Sequence, residues 1–144
     1  MQKNTYRRFI LCLICFMLVT LISACQLLHR TPPEEAVRLR IEKFMNAKIN
    51  KDWATAYTYF DSVYHEMVTK NQFERKISKM SFKGFTIESI KMDPSGDKAT
   101  AIVKVDLNVQ GFDFKGNPET QIWVKEQWKW YLHVPPKDPK ELLN

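Results

Sequence analysis

Lys98-Ala99-Thr100-Ala101-Ile102-Val103-Lys104-Val105-Asp106-Leu107-Asn108-Val109-Gln110 is the stretch that decides the fold. Ala99, Ala101, Val103, Val105, Leu107 and Val109 take every second position, and Lys98, Thr100, Ile102, Lys104, Asp106, Asn108 and Gln110 fall between them. A period of two sustained this long specifies a strand with one face in a core and the other in water. Before it, a strand is expected over 85–92, separated by the turn residues Pro94-Ser95-Gly96-Asp97. After it, a loop over 111–118 leads to a third strand over 121–125. A fourth runs over 129–134, and Pro135-Pro136 stops it.

Upstream of the strands the period is helical. Thr31-Pro32-Pro33-Glu34 reads as a helix start, with a capping hydroxyl, prolines in the first turn and an acid three residues on. Val37, Ile41, Phe44 and Lys48 then fall on one line, widened by Met45, and the helix should end near Asn50. Asp52 suits the cap of a second helix over 53–60, whose Trp53, Ala56, Tyr57 and Phe60 share a face. Thr69-Lys70-Asn71-Gln72 is a capping box that opens a third, with Phe73 and Ile77 four residues apart. The expectation is an α+β domain over 32–135, three N-terminal helices on a four-stranded antiparallel sheet, with 136–144 as a C-terminal tail. A chain of 144 residues has room for one such domain, and 44% apolar residues suffice for its core.

The last hairpin admits two registers. A two-residue turn at Glu126-Gln127 pairs Trp123 with Trp130 and puts Ile122 and Val124 on the face of Lys129 and Tyr131. A three-residue turn, Glu126-Gln127-Trp128, sets Ile122 and Val124 beside Trp130 and Leu132. The second makes one face consistently apolar and is preferred. It leaves Trp123 and Tyr131 on the outer face and Trp128 at the tip.

The first 28 residues differ from the rest. Lys3, Arg7 and Arg8 precede sixteen uncharged residues over 9–24. A basic start and an apolar run fit a secretory signal peptide, or an uncleaved membrane anchor about 24 Å long. Leu21-Ile22-Ser23-Ala24-Cys25 resembles the bacterial lipobox, although Ile22 stands where that motif prefers Leu. The resemblance implies a signal peptide over 1–24, palmitate-type acylation of Cys25 and a lipidated tether over 25–31. Two or three acyl chains anchor a domain stably where one would not. Gln26 after the cysteine implies the outer membrane if the cell is Gram-negative. Cys12 and Cys15 are then discarded, leaving no thiol for a disulfide or a metal. The 22 basic side chains fall to 19, against 16 acidic ones. That balance, without basic clusters interleaved with aromatics, argues against a nucleic-acid partner.

Phe44-Met45-Asn46-Ala47 followed by Asp52-Trp53-Ala54-Thr55-Ala56-Tyr57, then Gly96-Asp97-Lys98-Ala99-Thr100-Ala101-Ile102-Val103, carry a second resemblance. With the run from Trp123 to Leu132 they make residues 34–134 resemble the nuclear transport factor 2-like superfamily, and within it small bacterial lipoproteins of the cell envelope. One departure stands out: relatives usually carry Gly near the last hairpin turn, where this chain has Gln127-Trp128. The resemblance implies a cone of helices across a curved sheet, often around a pocket, and no particular activity.

Candidate chemistry is sparse. His29, His65 and His133 lack metal-ligand spacing, and neither a metal nor a cofactor is expected. Glu88 is the candidate pocket base, with Tyr57 as donor, for a lyase- or isomerase-like enzyme, provided the strand alternates without interruption from Met92. Two apolar residues against one acid favour instead a bulge near Ser89, which turns Ile87 and Phe85 inward and leaves Glu88 in water. Trp53, Tyr57, Phe60, Tyr64 and Trp130 either fill the core or line a concave apolar site. Trp128 is either a contact for a partner or an anionic lipid surface, or is folded back over Trp130. The expected function is a non-enzymatic, membrane-anchored envelope protein binding a small apolar ligand or a partner protein. A pocket-carboxylate enzyme and a structural or assembly role are the alternatives. The polar outer face of the long strand points to a monomer.

Overall fold

A computed structural model describes residues 31–136. The expected signal peptide, Cys25, the tether through residue 30 and the tail from residue 137 lie outside the described residues. Helix α1 (Pro33–Ile49) opens with Glu34 and Glu35, acids that suit the positive end of the helix dipole. It buries Val37, Ile41, Phe44, Met45 and Lys48 along the line the spacing specifies. The helix stops at Lys51, whose φ of 57° turns the chain out of helical geometry. Asp52 then caps α2 (Trp53–Tyr57) by accepting a hydrogen bond from the Thr55 amide at 3.0 Å.

Four helices stand among the described residues where three are expected. The helix expected over 53–60 ends at Tyr57 because residues 59–61 turn to the sheet. The Leu132 amide donates to the Tyr59 carbonyl at 2.7 Å, and the Asp61 amide to the Leu132 carbonyl at 3.1 Å. Phe60 thereby bridges in parallel to Leu132 and covers the sheet edge there. Asp61, buried, caps the additional helix α3 (Ser62–Met67), accepting from the Tyr64 amide at 2.9 Å while its other oxygen meets His133 Nδ1. Helix α4 (Lys70–Ile77) opens with the expected Thr69–Gln72 capping box.

The strands β1 (Met80–Met92), β2 (Lys98–Val109), β3 (Phe112–Glu126) and β4 (Lys129–His133) form one antiparallel sheet in that order. Ala99, Ala101, Val103 and Val105 are fully buried, as the alternation requires. Two strands are longer than expected. β1 begins at Met80, and the expected loop over 111–118 is the first half of β3, entered by a two-residue turn at Gln110-Gly111. Between the Val105–Asn117 and Leu107–Phe114 pairs β3 bulges. Gly116 takes φ 60° there, its amide donating to Asp106 Oδ1 at 2.7 Å. Bulges also interrupt β1 after Phe82 and after Ile87, and together they bend the sheet.

The last hairpin follows neither expected register. Glu126 pairs with Lys129, so the turn is Gln127-Trp128, and Trp123 lies opposite Leu132. That one-residue shift reverses the faces. Trp123 is fully buried with Trp130 and Leu132, while Ile122 and Val124 join Tyr131 on the outer face. Trp123 therefore supplies no outer patch. Trp128 stays at the tip, 85% exposed, with Lys125 Nζ 5.6 Å from its ring, and does not fold back over Trp130.

Both turn residues sit in the left-handed region, Gln127 at φ 44° and Trp128 at φ 73°. This is the turn favoured in hairpins, but it costs a non-glycine residue about 1–2 kcal/mol. Trp128→Gly removes that strain and little buried surface. Its stability in denaturant melts should be unchanged or about 1 kcal/mol higher. A loss of about 3–5 kcal/mol would instead mark the indole as core.

Candidate functional site

α1, α4 and the bent part of the sheet leave a pocket of about 490 Å³ between them. Phe44 from α1, Phe60, Phe73 and Ile77 of α4, Phe82 of β1 and Leu107 of β2 supply apolar walls. Tyr64 and Leu132 contribute as well, with Asn117, Pro118 and Glu119 along β3 and Lys76 exposed at the rim. The volume falls within the ordinary range for small-molecule sites.

Phe44 is the hub of the aromatic wall. Its ring lies 5.7 Å from Phe60 and 6.1 Å from Trp123, both edge-on, and 5.9 Å from Tyr59. Phe60 in turn stacks on Tyr64 at 4.1 Å and meets Phe73 at 5.3 Å. Edge-on and offset contacts let the rings wall a cavity without closing it.

One turn beyond Phe44, Lys48 enters the same pocket 4% exposed. Its ammonium lies 4.2 Å from the Phe82 ring centroid and 5.0 Å from that of Phe44. Among the described residues its oxygen partner is Glu119, whose Oε2 accepts from Nζ at 3.4 Å. Glu119 Oε1 accepts from Gln121 Nε2 at 3.0 Å, and Gln121 Oε1 accepts from Trp123 Nε1 at 3.1 Å. Residues 119, 121 and 123 occupy successive inward positions of β3, so one strand face carries the whole relay.

Of the residues the sequence offers as ligand contacts, Phe60 and Tyr64 line the pocket. Trp53 packs edge-on against Phe82 at 6.4 Å. Trp130 is core, its carbonyl accepting from Arg40 Nε at 2.9 Å. The Tyr57 hydroxyl donates to the Val68 carbonyl at 2.6 Å, which leaves it no part in the pocket. Glu88 is the extra residue of the second β1 bulge, so it faces water and pairs with Lys104 at 2.7 Å. The bulge that the residue types favour near Ser89 is present, and the alternative of an inward Glu88 with a Tyr57 donor is corrected: Ile87 and Phe85 pack against the core in its place. Lys48, Glu119 and Gln121 are the functional candidates that sequence reasoning passed over. The signal available was a lysine on the buried line of α1, which demands a buried partner.

No family model matches the chain, and no curated protein sequence matches it. Solved structures do. A SEC-C motif containing protein from Rhodopseudomonas palustris aligns at TM-score 0.53 and 12% identity over 62% of this chain and 68% of its own. Another from Psychrobacter arcticus aligns at 0.58 and 11%, over 76% of this chain and 64% of its own. An LEH-like epoxide hydrolase from M. tuberculosis aligns at 0.50 and 15%, over 72% and 81%. The last has the nuclear transport factor 2-like fold. The likeness shows the fold alone.

Burial lowers the Lys48 pKa, and the charge and hydrogen bond of Glu119 oppose this more weakly. The unfolded chain therefore keeps this proton to a higher pH than the native one. Between the lowered native value and the ordinary 10.5, stability contributed by this site rises with pH, and below that window the buried charge opposes folding. Lys48→Met keeps an unbranched side chain and removes the charge. Because Glu119 is 36% exposed at its side chain and can turn to water once the ammonium is gone, the variant should melt higher than the parent at pH 7, with the advantage shrinking as pH climbs toward 10.5. Paired thermal melts across that range check this, and an advantage that grows with pH contradicts it.

Proposed function

We propose that the chain is a lipid-anchored cell-envelope protein, a small bacterial lipoprotein with a nuclear transport factor 2-like cone that binds a small apolar ligand without transforming it. The observation that carries this reading is the pocket of about 490 Å³ walled by Phe44, Phe60, Phe73, Phe82 and Leu107. The anchoring half of the proposal draws on the lipobox-like Leu21-Ile22-Ser23-Ala24-Cys25. Among the described residues no helix is long and apolar enough to cross a membrane.

Binding is favoured over catalysis by the state of Glu119, the one carboxylate among the described residues that lines the pocket. Glu119 is engaged on both oxygens, by Lys48 on one and Gln121 on the other, an arrangement suited to holding a charge in place. A proton-abstracting base needs a free oxygen aimed at its substrate. The domain acts as a monomer at the outer membrane of a Gram-negative cell, or at the corresponding membrane otherwise.

The neutral dye Nile red should bind the full chain, and Ile77→Trp, which fills the pocket from α4, should abolish most of that fluorescence while the melt shows a folded protein. Undiminished dye binding would overturn the pocket reading. Separately, Cys25→Ser should accumulate as unprocessed precursor that takes up no labelled fatty acid. Normal labelling of that variant would overturn the anchor.

A further inference from the structure

The Lys48 ammonium carries three N–H donors and, among the described residues, meets one oxygen, Glu119 Oε2. The ring faces of Phe44 and Phe82 also lie against it in the pocket. Ring faces attract a cation but do not replace a strong acceptor. A side chain 96% buried by its neighbours, aimed into an open cavity and short of acceptors, is arranged to meet a ligand oxygen.

The charge of that oxygen follows from the other groups that line the cavity. Lys48 and Lys76 are cationic and Glu119 is anionic, so the lining carries one net positive charge. Glu119 is itself 36% exposed at its side chain, so it has room to move toward water when a second acceptor arrives. An ammonium-headed ligand would meet two lysines, and a neutral one would leave the net charge uncompensated.

We propose that the pocket takes a singly anionic amphiphile, with a carboxylate or comparable acidic head on Lys48 Nζ and an aliphatic tail against the aromatic wall. This rests on the apolar-pocket reading and adds the identity of the head. Lys48 supplies the charge-assisted hydrogen bond, Lys76 attracts the head at the rim, and Glu119 competes for Nζ. Such a head has two sources, a free single-chain acid or an anionic phospholipid of the membrane.

The test uses the full chain in phosphatidylcholine nanodiscs, titrated with decanoate, 1-decanol and decylammonium and read by NMR at the methyls of Ile77, Leu107 and Leu132. Partition into lipid is shared by all variants, so ratios between variants report the pocket. Decanoate should bind tightest. Lys48→Met should weaken decanoate about tenfold and leave decanol unchanged. Glu119→Gln, which frees Nζ of its competitor, should tighten decanoate severalfold. The ranking of heads on the parent and the direction of the Glu119→Gln change decide independently of Lys48→Met. Equal binding of all three heads, or decanol tighter than decanoate, overturns the anionic head and leaves the apolar pocket standing. Methyls that respond to no probe overturn both. Replacing a fraction of the disc lipid with phosphatidylglycerol distinguishes the sources: displacement of decanoate assigns the site to a membrane lipid, and none assigns it to the free acid.

Discussion

A lysine on the buried face of α1 has to be answered from the sheet, and the architecture around the pocket follows from that answer. The helical period that buries Val37, Ile41 and Phe44 also draws Lys48 inward. An ammonium so placed is tolerable only beside an acceptor, because its desolvation outweighs what a distant charge returns. Glu119 provides that acceptor from β3, and Gln121 and Trp123 fix Glu119 in turn. One helix and one strand are thus tied together by polar contacts at one place and by Phe44 against Trp123 next to it.

The aromatic cluster and the ion pair have complementary roles. Phe44, Phe60, Phe73 and Tyr64 meet at angles that hold the helices together while leaving space beneath them. The β3 bulge at Gly116 and the β1 bulge after Phe82 bend the sheet on the other side. An apolar cavity with one buried cation in its wall results. That combination suits selection of a ligand by its head and retention by its tail.

The parts of this fold legible in sequence are those with a local cause. The alternation over 98–109, the apolar line of α1 and the Thr69–Gln72 capping box each depend on residues a few positions apart. α3 escaped because it buries none of its own residues and exists through the Asp61 cap. The first half of β3 looked like loop because Gly116 and Pro118 read as breakers, and its pairing depends on a bulge that only the partner strand explains. The last hairpin misled for a physical reason: two bulky residues occupy left-handed positions that their side chains disfavour. The shifted register hid Glu119 and Gln121, since a one-residue slip moves every inward side chain outward. The outward Glu88 was legible, because two apolar residues, Ile87 and Phe85, against one acid favour the bulge that turns them inward.

The claim on which the functional account depends is that Lys48 is buried in the pocket wall against Glu119. Nitrogen-15 NMR of the lysine side chains of the full chain tests it directly. The account predicts one lysine, assigned to Lys48 by its loss in Lys48→Met, that titrates below the others, with ammonium protons in slow exchange with water and a coupling to the Glu119 carboxylate. A Lys48 that titrates and exchanges like the surface lysines would contradict it.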